Sequence, residues 1–167
     1  MWDVILNKFD KYPAQEKVVR LLLKRGFQVT EDGKVVSGGI KLAHTQIAKE
    51  IGVDRRVVDG AASMIAQDDL LRIIFRNIRP ISSLCEVAPD LNLGVIVITP
   101  VDAARPGILA SVAACVAEHG ISIMQAIADD PILSEHQTLT IVCDRQIPDD
   151  LVGKLLKCDG VKGVSVF

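Results

Sequence analysis

The sequence predicts an α+β chain in two parts: a helix-rich domain over residues 1–80, and a βαββαβ domain over residues 91–167 joined to it by a linker at 81–90. Three observations carry this. Residues 1–80 hold apolar runs at helical spacing with one short hairpin, whereas from Leu91 onward Val- and Ile-rich runs alternate with helical ones. The stretch RPISSLCEVAPDLN (79–92) is broken by Pro80, Pro89 and a Ser-Ser pair. Charge divides at the same place, with 14 basic and 10 acidic residues in 1–80 against 5 and 11 in 81–167, so a net −2 hides halves of +4 and −6.

The bulk composition narrows the class. With 49% hydrophobic and 24% charged residues the chain can bury a substantial core. No apolar run approaches the roughly 20 residues that cross a bilayer, and MWDVILNKFDKYP lacks the basic start and apolar centre of a signal peptide. A cytoplasmic location and no membrane partner are therefore expected. Cys85, Cys115, Cys143 and Cys158 stand 30, 28 and 15 positions apart, neither a Cys-x-x-Cys hook nor a disulfide frame, so free thiols are expected. Cys115 and His119 could supply half a metal site, but no second pair completes it, and neither a metal nor a cofactor is expected.

The elements of the first domain follow in order. PAQEKVVRLLLKRG sets Val18, Val19, Leu22 and Leu23 on one stripe and stops at Gly26, an amphipathic helix with a glycine end. FQVTEDGKVVSGGIKL places Asp32-Gly33 between two β-favouring runs, which makes a short hairpin. In HTQIAKEIGVDRRVVDGAASMI, Ile47, Ala48 and Ile51 form an inner face, Gly52 ends that helix, and Val53 plugs the turn. Asp54 caps a second helix, on which Val58, Ala61 and Ile65 face back inward. Small Ala48 lets two backbones approach and Gly52 tolerates a left-handed turn, the spacing of two helices crossing over a three-residue turn. The run LLRIIFRNI (70–78) fits a strand and a helix equally.

That 22-residue stretch resembles a helix-turn-helix of the winged type. The resemblance puts the outward side of the second helix, Arg55, Arg56, Asp59, Gly60 and Ser63, against DNA. Arg55 and Arg56 suit phosphates or guanine edges, and Ser63 joins them as a DNA-binding candidate. Asp59 adds repulsion and Gly60 weakens a helix interior by about 1 kcal/mol relative to alanine, so a hairpin that only packs or dimerises stays open. Arg72, Arg76 and Arg79 either extend the basic surface or form a solvated face.

In the second domain LNLGVIVIT reads as an interior strand. PGILASVAACVAEHG is a helix with Pro106 near its first position and Gly120 beyond its end, and ISIMQAIA is a second strand. HQTLTIVCD alternates Thr138 and Thr140 with Leu139, Ile141 and Cys143 as a third. IPDDLVGKLLKCDG is a helix opened by Pro148 and closed by Gly160, and VKGVSVF a fourth strand. Two such crossovers give a ferredoxin-like sandwich with strand order 4-1-3-2 and both helices on one face. The second strand is then an edge without charge or proline, which favours pairing with a second copy in a homodimer or a higher homo-oligomer.

The helix start at Arg105-Pro106-Gly107 is bare of charge beyond Arg105, leaving its free N–H groups to receive a carboxylate. The stretch DAARPGILASVAACVAEHGISI resembles the ACT domain, the small-molecule-sensing module of amino-acid metabolism, through Pro106-Gly107-Ile108-Leu109 and Gly120-Ile121-Ser122-Ile123. In that family the loop before the helix and the second strand of a neighbouring copy hold a free amino acid. Carried over, this implicates Arg105, Gly107, Ile108, Ser122 and Ile123. The family's acidic residue two before the proline is Ala104 here, with Asp102 standing in for it, and its strand asparagine is Ser122.

The two halves together are similar to stand-alone prokaryotic, especially archaeal, regulators that join a helix-turn-helix region to a C-terminal ACT domain. That resemblance implies an amino-acid-responsive transcriptional regulator with DNA and an amino acid as partners. The alternative is an amino-acid-binding regulatory or scaffolding subunit that acts on a metabolic enzyme. No phosphate loop, Gly-x-Ser-x-Gly or His-Glu-x-x-His occurs, and His44, His119 and His136 have no neighbours composing a proton-transfer set, so no enzyme is expected.

Overall fold

The computed structural model describes residues 2–130, 132–134 and 136–167. The chain divides into two compact units, Met1–Ser82 and Ser83–Phe167. Among the described residues no helix is long and apolar enough to cross a membrane.

The first unit opens with a short helix α1, Trp2–Leu6, and a 3-10 turn, Asn7–Phe9, which bury Ile5, Leu6 and Phe9. Pro13 then starts α2, Pro13–Arg25, where its missing N–H costs nothing, and Val18, Val19, Leu22 and Leu23 are all buried. Gly26 ends the helix in the left-handed region at φ +64°. Strands β1, Gln28–Val29, and β2, Val35–Ser37, form the expected hairpin around Asp32-Gly33. A second turn at Gly38-Gly39 adds β3, Ile40–Lys41, so the sheet has three strands in the order β1-β2-β3.

Helices α3, His44–Ile51, and α4, Arg55–Gln67, follow. Gly52 turns the chain at φ +67°, and the Val53 N–H donates to the Ala48 carbonyl at 3.0 Å. The Asp54 carboxylate caps α4 by accepting the Arg56 N–H at 2.8 Å. Ile47, Ala48, Val58, Ala61, Ala62 and Ile65 fill the space between the helices and the rest of the unit. Residues 70–78 resolve as helix, α5 Asp69–Asn77, because Asp68 caps it through the Leu70 and Leu71 N–H groups and buried Leu71 and Phe75 stand four apart. The hairpin thus precedes the helix pair and a helix follows it, whereas a winged arrangement has its hairpin after the second helix.

The second unit is a βαββαβ chain of β4 Gly94–Pro100, α6 Ile108–Glu118, β5 Ile123–Ala128, β6 Leu139–Cys143, α7 Asp149–Leu155 and β7 Val161–Val166. Its sheet is antiparallel with the order β5-β6-β4-β7, the expected 4-1-3-2 read from the other edge. Ile96, Ile98, Ile141 and Cys143 meet Ile108, Val112 and Val116 of α6 and Leu151 and Leu155 of α7 in one apolar layer. The opposite face carries Val95 and Val142 against Ala88, with Leu84, Cys85 and Leu93 around them. Residues 84–93, read from the sequence partly as linker, therefore cover the second face of this sheet.

Three details differ from expectation. The first strand starts at Gly94, because Pro89–Leu91 is a 3-10 turn ended by Asn92 at φ +56°. Pro106 lies outside α6, whose N-cap is Gly107 at φ +97°. Edge strand β5 carries an irregularity, with Ile123 opposite Cys143 and Gln125 already opposite Val142. Met124 is the extra residue, and beyond it Ala126 and Ala128 share the helix-covered face with Ile141 and Leu139.

Candidate functional site

Two concave surfaces, one in each unit, are built from the residues that the sequence points to. In the second unit a cleft of about 160 Å³ lies beside the start of α6, lined by Pro100, Ala103, Arg105, Gly107 and Leu109 on one side and by Ala128, Asp129 and Thr138 on the other. No side chain caps α6. A β-carbon on Gly107 would find nothing within 4 Å, so the helix start stands open. Free N–H groups and the positive end of the helix dipole favour an anion there.

The loop leading into that start is held by its own residues. Asp102 accepts the Ala104 N–H at 2.9 Å, which makes it a brace of the loop and leaves it outside the lining of the cleft. Arg105 reaches Asp159 at 2.5 Å, and Gly160 packs so closely on Ile108 that a β-carbon would stand 2.8 Å from its Cγ1. Ile108 is itself buried in the apolar layer and lines the cleft from below. Ser122 and Ile123 lie elsewhere. Ser122 bonds to Asp144, and Ile123 sits beside Cys143 at the opposite end of β5, about 17 Å of strand from Ala128 at the usual rise.

Asp129 and Thr138 were not found from the sequence. The Asp129 carboxylate accepts the Thr138 hydroxyl at 2.8 Å and its N–H at 3.2 Å. Only the pairing of β5 with β6 brings this acid to face a helix start some twenty positions earlier in the chain.

In the first unit a groove of about 850 Å³ runs between the hairpin, the start of α3 and α4. Arg55, Asp59 and Ser63 line it at four-residue spacing, with Gln67 beyond and Lys34, Lys41 and Thr45 across from them. Arg56 is exposed and lies outside the lining. Gly60 faces away from the groove, since a β-carbon there would stand 2.8 Å from Nε2 of Gln15 on α2. Glycine is the residue that lets α2 and α4 approach, which answers the doubt its position raised.

No protein-family model and no curated protein matches the chain. Among solved structures it is similar to the leucine response regulatory protein LrpA of Mycobacterium tuberculosis, at 13% identity and a TM-score of 0.31 over 92% of this chain and 88% of that one. It is also similar to an AsnC family transcriptional regulator from Agrobacterium tumefaciens, at 16% identity and a TM-score of 0.30 over 92% and 86%.

The charges of the groove nearly cancel. Glu31, Asp32 and Asp59 stand among Lys34, Lys41 and Arg55. Asp32 pairs with Lys34, which with Thr30 holds its carboxyl down at about 2. Asp59 bonds to His44 and Arg55. The arginines beyond are also engaged, Arg72 with Asp69 at 2.7 Å and Arg76 with Glu31 at 3.2 Å, so they extend the basic surface less than their count suggests. His44 is a groove residue with a side chain only 17% exposed, where the sequence shows just an isolated histidine. Among the described residues no group of three or more His, Cys, Asp or Glu is placed to hold a metal.

Proposed function

We propose that the chain is an amino-acid-responsive transcriptional regulator, whose C-terminal unit is an ACT-like sensor and whose helix pair α3–α4 binds DNA. The observation that carries this reading is the cleft of the second unit. An open, uncapped helix start lies on one side of it and the Asp129 carboxylate on the other. A free α-amino acid carries the matching pair of charges, a carboxylate for the bare N–H groups and an ammonium for Asp129.

The outer edge of β5 supports assembly. Met124 is 54% exposed and Ala126 and Ala128 are exposed beside it, with exposed Leu109 on the neighbouring helix. An apolar edge of this kind pairs readily with another chain. Two-fold antiparallel pairing of β5 would bring Ser122 and Ile123 of the partner subunit toward the Ala128 end, next to the cleft. The effector site is then shared, with Arg105, Gly107 and Ile108 from one protomer and Asp102 bracing the loop. An effector at the seam would bias the spacing of the two DNA-binding units. Arg55 and Ser63 contact the duplex from the groove and Arg56 from its rim.

The near-balance of charge in the groove favours a second reading, in which the first unit docks on an enzyme and the chain is a regulatory subunit. The two are separated by titrating duplex DNA at several salt concentrations, with and without the amino acids that raise the melting temperature in a screen of all twenty. Affinity that falls with salt and changes with the effector supports the regulator. An amino-acid shift with no DNA retained supports the subunit. A flat screen removes the sensing role, since a ligand at 100 times its dissociation constant adds about 2.7 kcal/mol.

A further inference from the structure

His44, Asp59 and Arg55 form a chain of side chains running from inside the groove to its rim. Nδ1 of His44 lies 2.6 Å from Oδ1 of Asp59, and the other carboxylate oxygen, Oδ2, lies 3.2 Å from Nε of Arg55. Exposure rises along this chain, from 17% at His44 to 40% at Asp59 and 65% at Arg55. The hydrogen bond from His44, and secondarily the charge of Arg55, hold the Asp59 carboxyl below its ordinary value. An ionised carboxylate only accepts, so His44 donates through Nδ1.

The consequence for Arg55 is geometric. Its guanidinium spends Nε inward on Asp59, which leaves the Nη1–Nη2 edge directed away from the carboxylate. Two parallel N–H groups on one edge match the O6 and N7 acceptors of guanine in the major groove. A guanidinium already held in place also loses less rotamer freedom on docking than a free one.

We propose that Asp59, fixed by His44, is a positioning residue that presents Arg55 to a guanine of the bound duplex and so sets sequence preference. This rests on the DNA-binding reading given above. It accounts for an acid on the DNA-facing side of α4, where phosphate repulsion alone would disfavour one.

The test uses the full chain. Binding sites are selected from a randomised duplex pool, and fluorescence anisotropy compares the selected duplex with one in which its conserved guanine is replaced, at two salt concentrations. The wild type is expected to prefer the guanine duplex by about tenfold or more. Arg55→Lys, which keeps the charge and loses the fork, removes that preference. Asp59→Asn removes most of it while affinity for unrelated duplex stays level or rises, and Asp59→Glu restores part of it. A merely structural role would lower both affinities together. Retention of the full preference by Asp59→Asn, or by Arg55→Lys, overturns the proposal and leaves DNA binding intact. Absence of salt-dependent binding by the wild type to any duplex overturns DNA binding and this proposal with it.

Discussion

Gly26 and Arg79 touch backbone to backbone: a β-carbon on Gly26 would stand 2.5 Å from the carbonyl carbon and oxygen of Arg79. The same residue adopts φ +64° to end α2. Gly26→Ala therefore suffers twice, from left-handed strain of about 1–2 kcal/mol and from overpacking against main chain that cannot turn aside, typically 1–3 kcal/mol. Chemical denaturation should show a loss of about 3 kcal/mol. A loss under about 1 kcal/mol would mean that the segment at Arg79 moves freely.

Asp68 joins two parts of the first unit. It accepts the Leu70 and Leu71 N–H groups at 3.1 and 3.0 Å and pairs with Lys8. Those contacts, the Lys8 bond first, hold its carboxyl below the ordinary value of 3.8. Its folded pKa is lower than its unfolded one, so the stability it contributes is full above about pH 4 and is lost as pH falls toward the folded value. Asp68→Ala should cost about 1 kcal/mol or somewhat more at neutral pH. Its unfolding midpoint should also depend less on pH between 4 and 2 than that of the wild type, as circular dichroism can measure.

The crossing of α3 and α4 depends on a small residue. Ala48 is 3% exposed beneath fully buried Val58, so Ala48→Leu forces the helices apart at a cost of about 1–3 kcal/mol. Thermal melts would register this as a lower midpoint, and a neutral substitution would show that the crossing has spare room.

Asp129 is the acid of the proposed effector cleft. Asp129→Asn keeps the size of the side chain and removes its charge, so the effector found in the screen should bind at least about tenfold more weakly by calorimetry, the lower end of a charged hydrogen bond. Unchanged affinity would place the ammonium elsewhere.

Assembly through β5 predicts that Ala126→Lys, which puts charge on the exposed strand, shifts sedimentation toward the monomer with no loss of secondary structure. An unchanged oligomer would move the interface to another surface.

Much of this architecture is legible in the residues themselves. The turn from α3 to α4 is fixed by local demands that the text displays in order: an alanine at the crossing, a glycine for left-handed backbone, and an aspartate to cap. The run from Leu70 to Ile78 is ambiguous because its apolar residues fit either period, and Asp68 decides it by capping a helix. Helix α1 is too short for periodicity to register. Gly60 reads as an outward defect until Gln15 of α2 is seen beside it. Asp129 and Thr138 escape notice for a different reason, since no local pattern marks them and only strand pairing sets them against the start of α6.

The extra residue at Met124 makes the edge strand tolerant of altered chemistry and intolerant of altered length. Removing any one residue there would restore a simple two-residue alternation, exchange the sides on which Gln125 and Ala126 emerge, and cut the bond from the Leu84 amide to the Gln125 amide oxygen, 2.9 Å long. Descendants of this chain can exchange side chains along Ile123–Ala128, but a deletion there would turn the strand inside out.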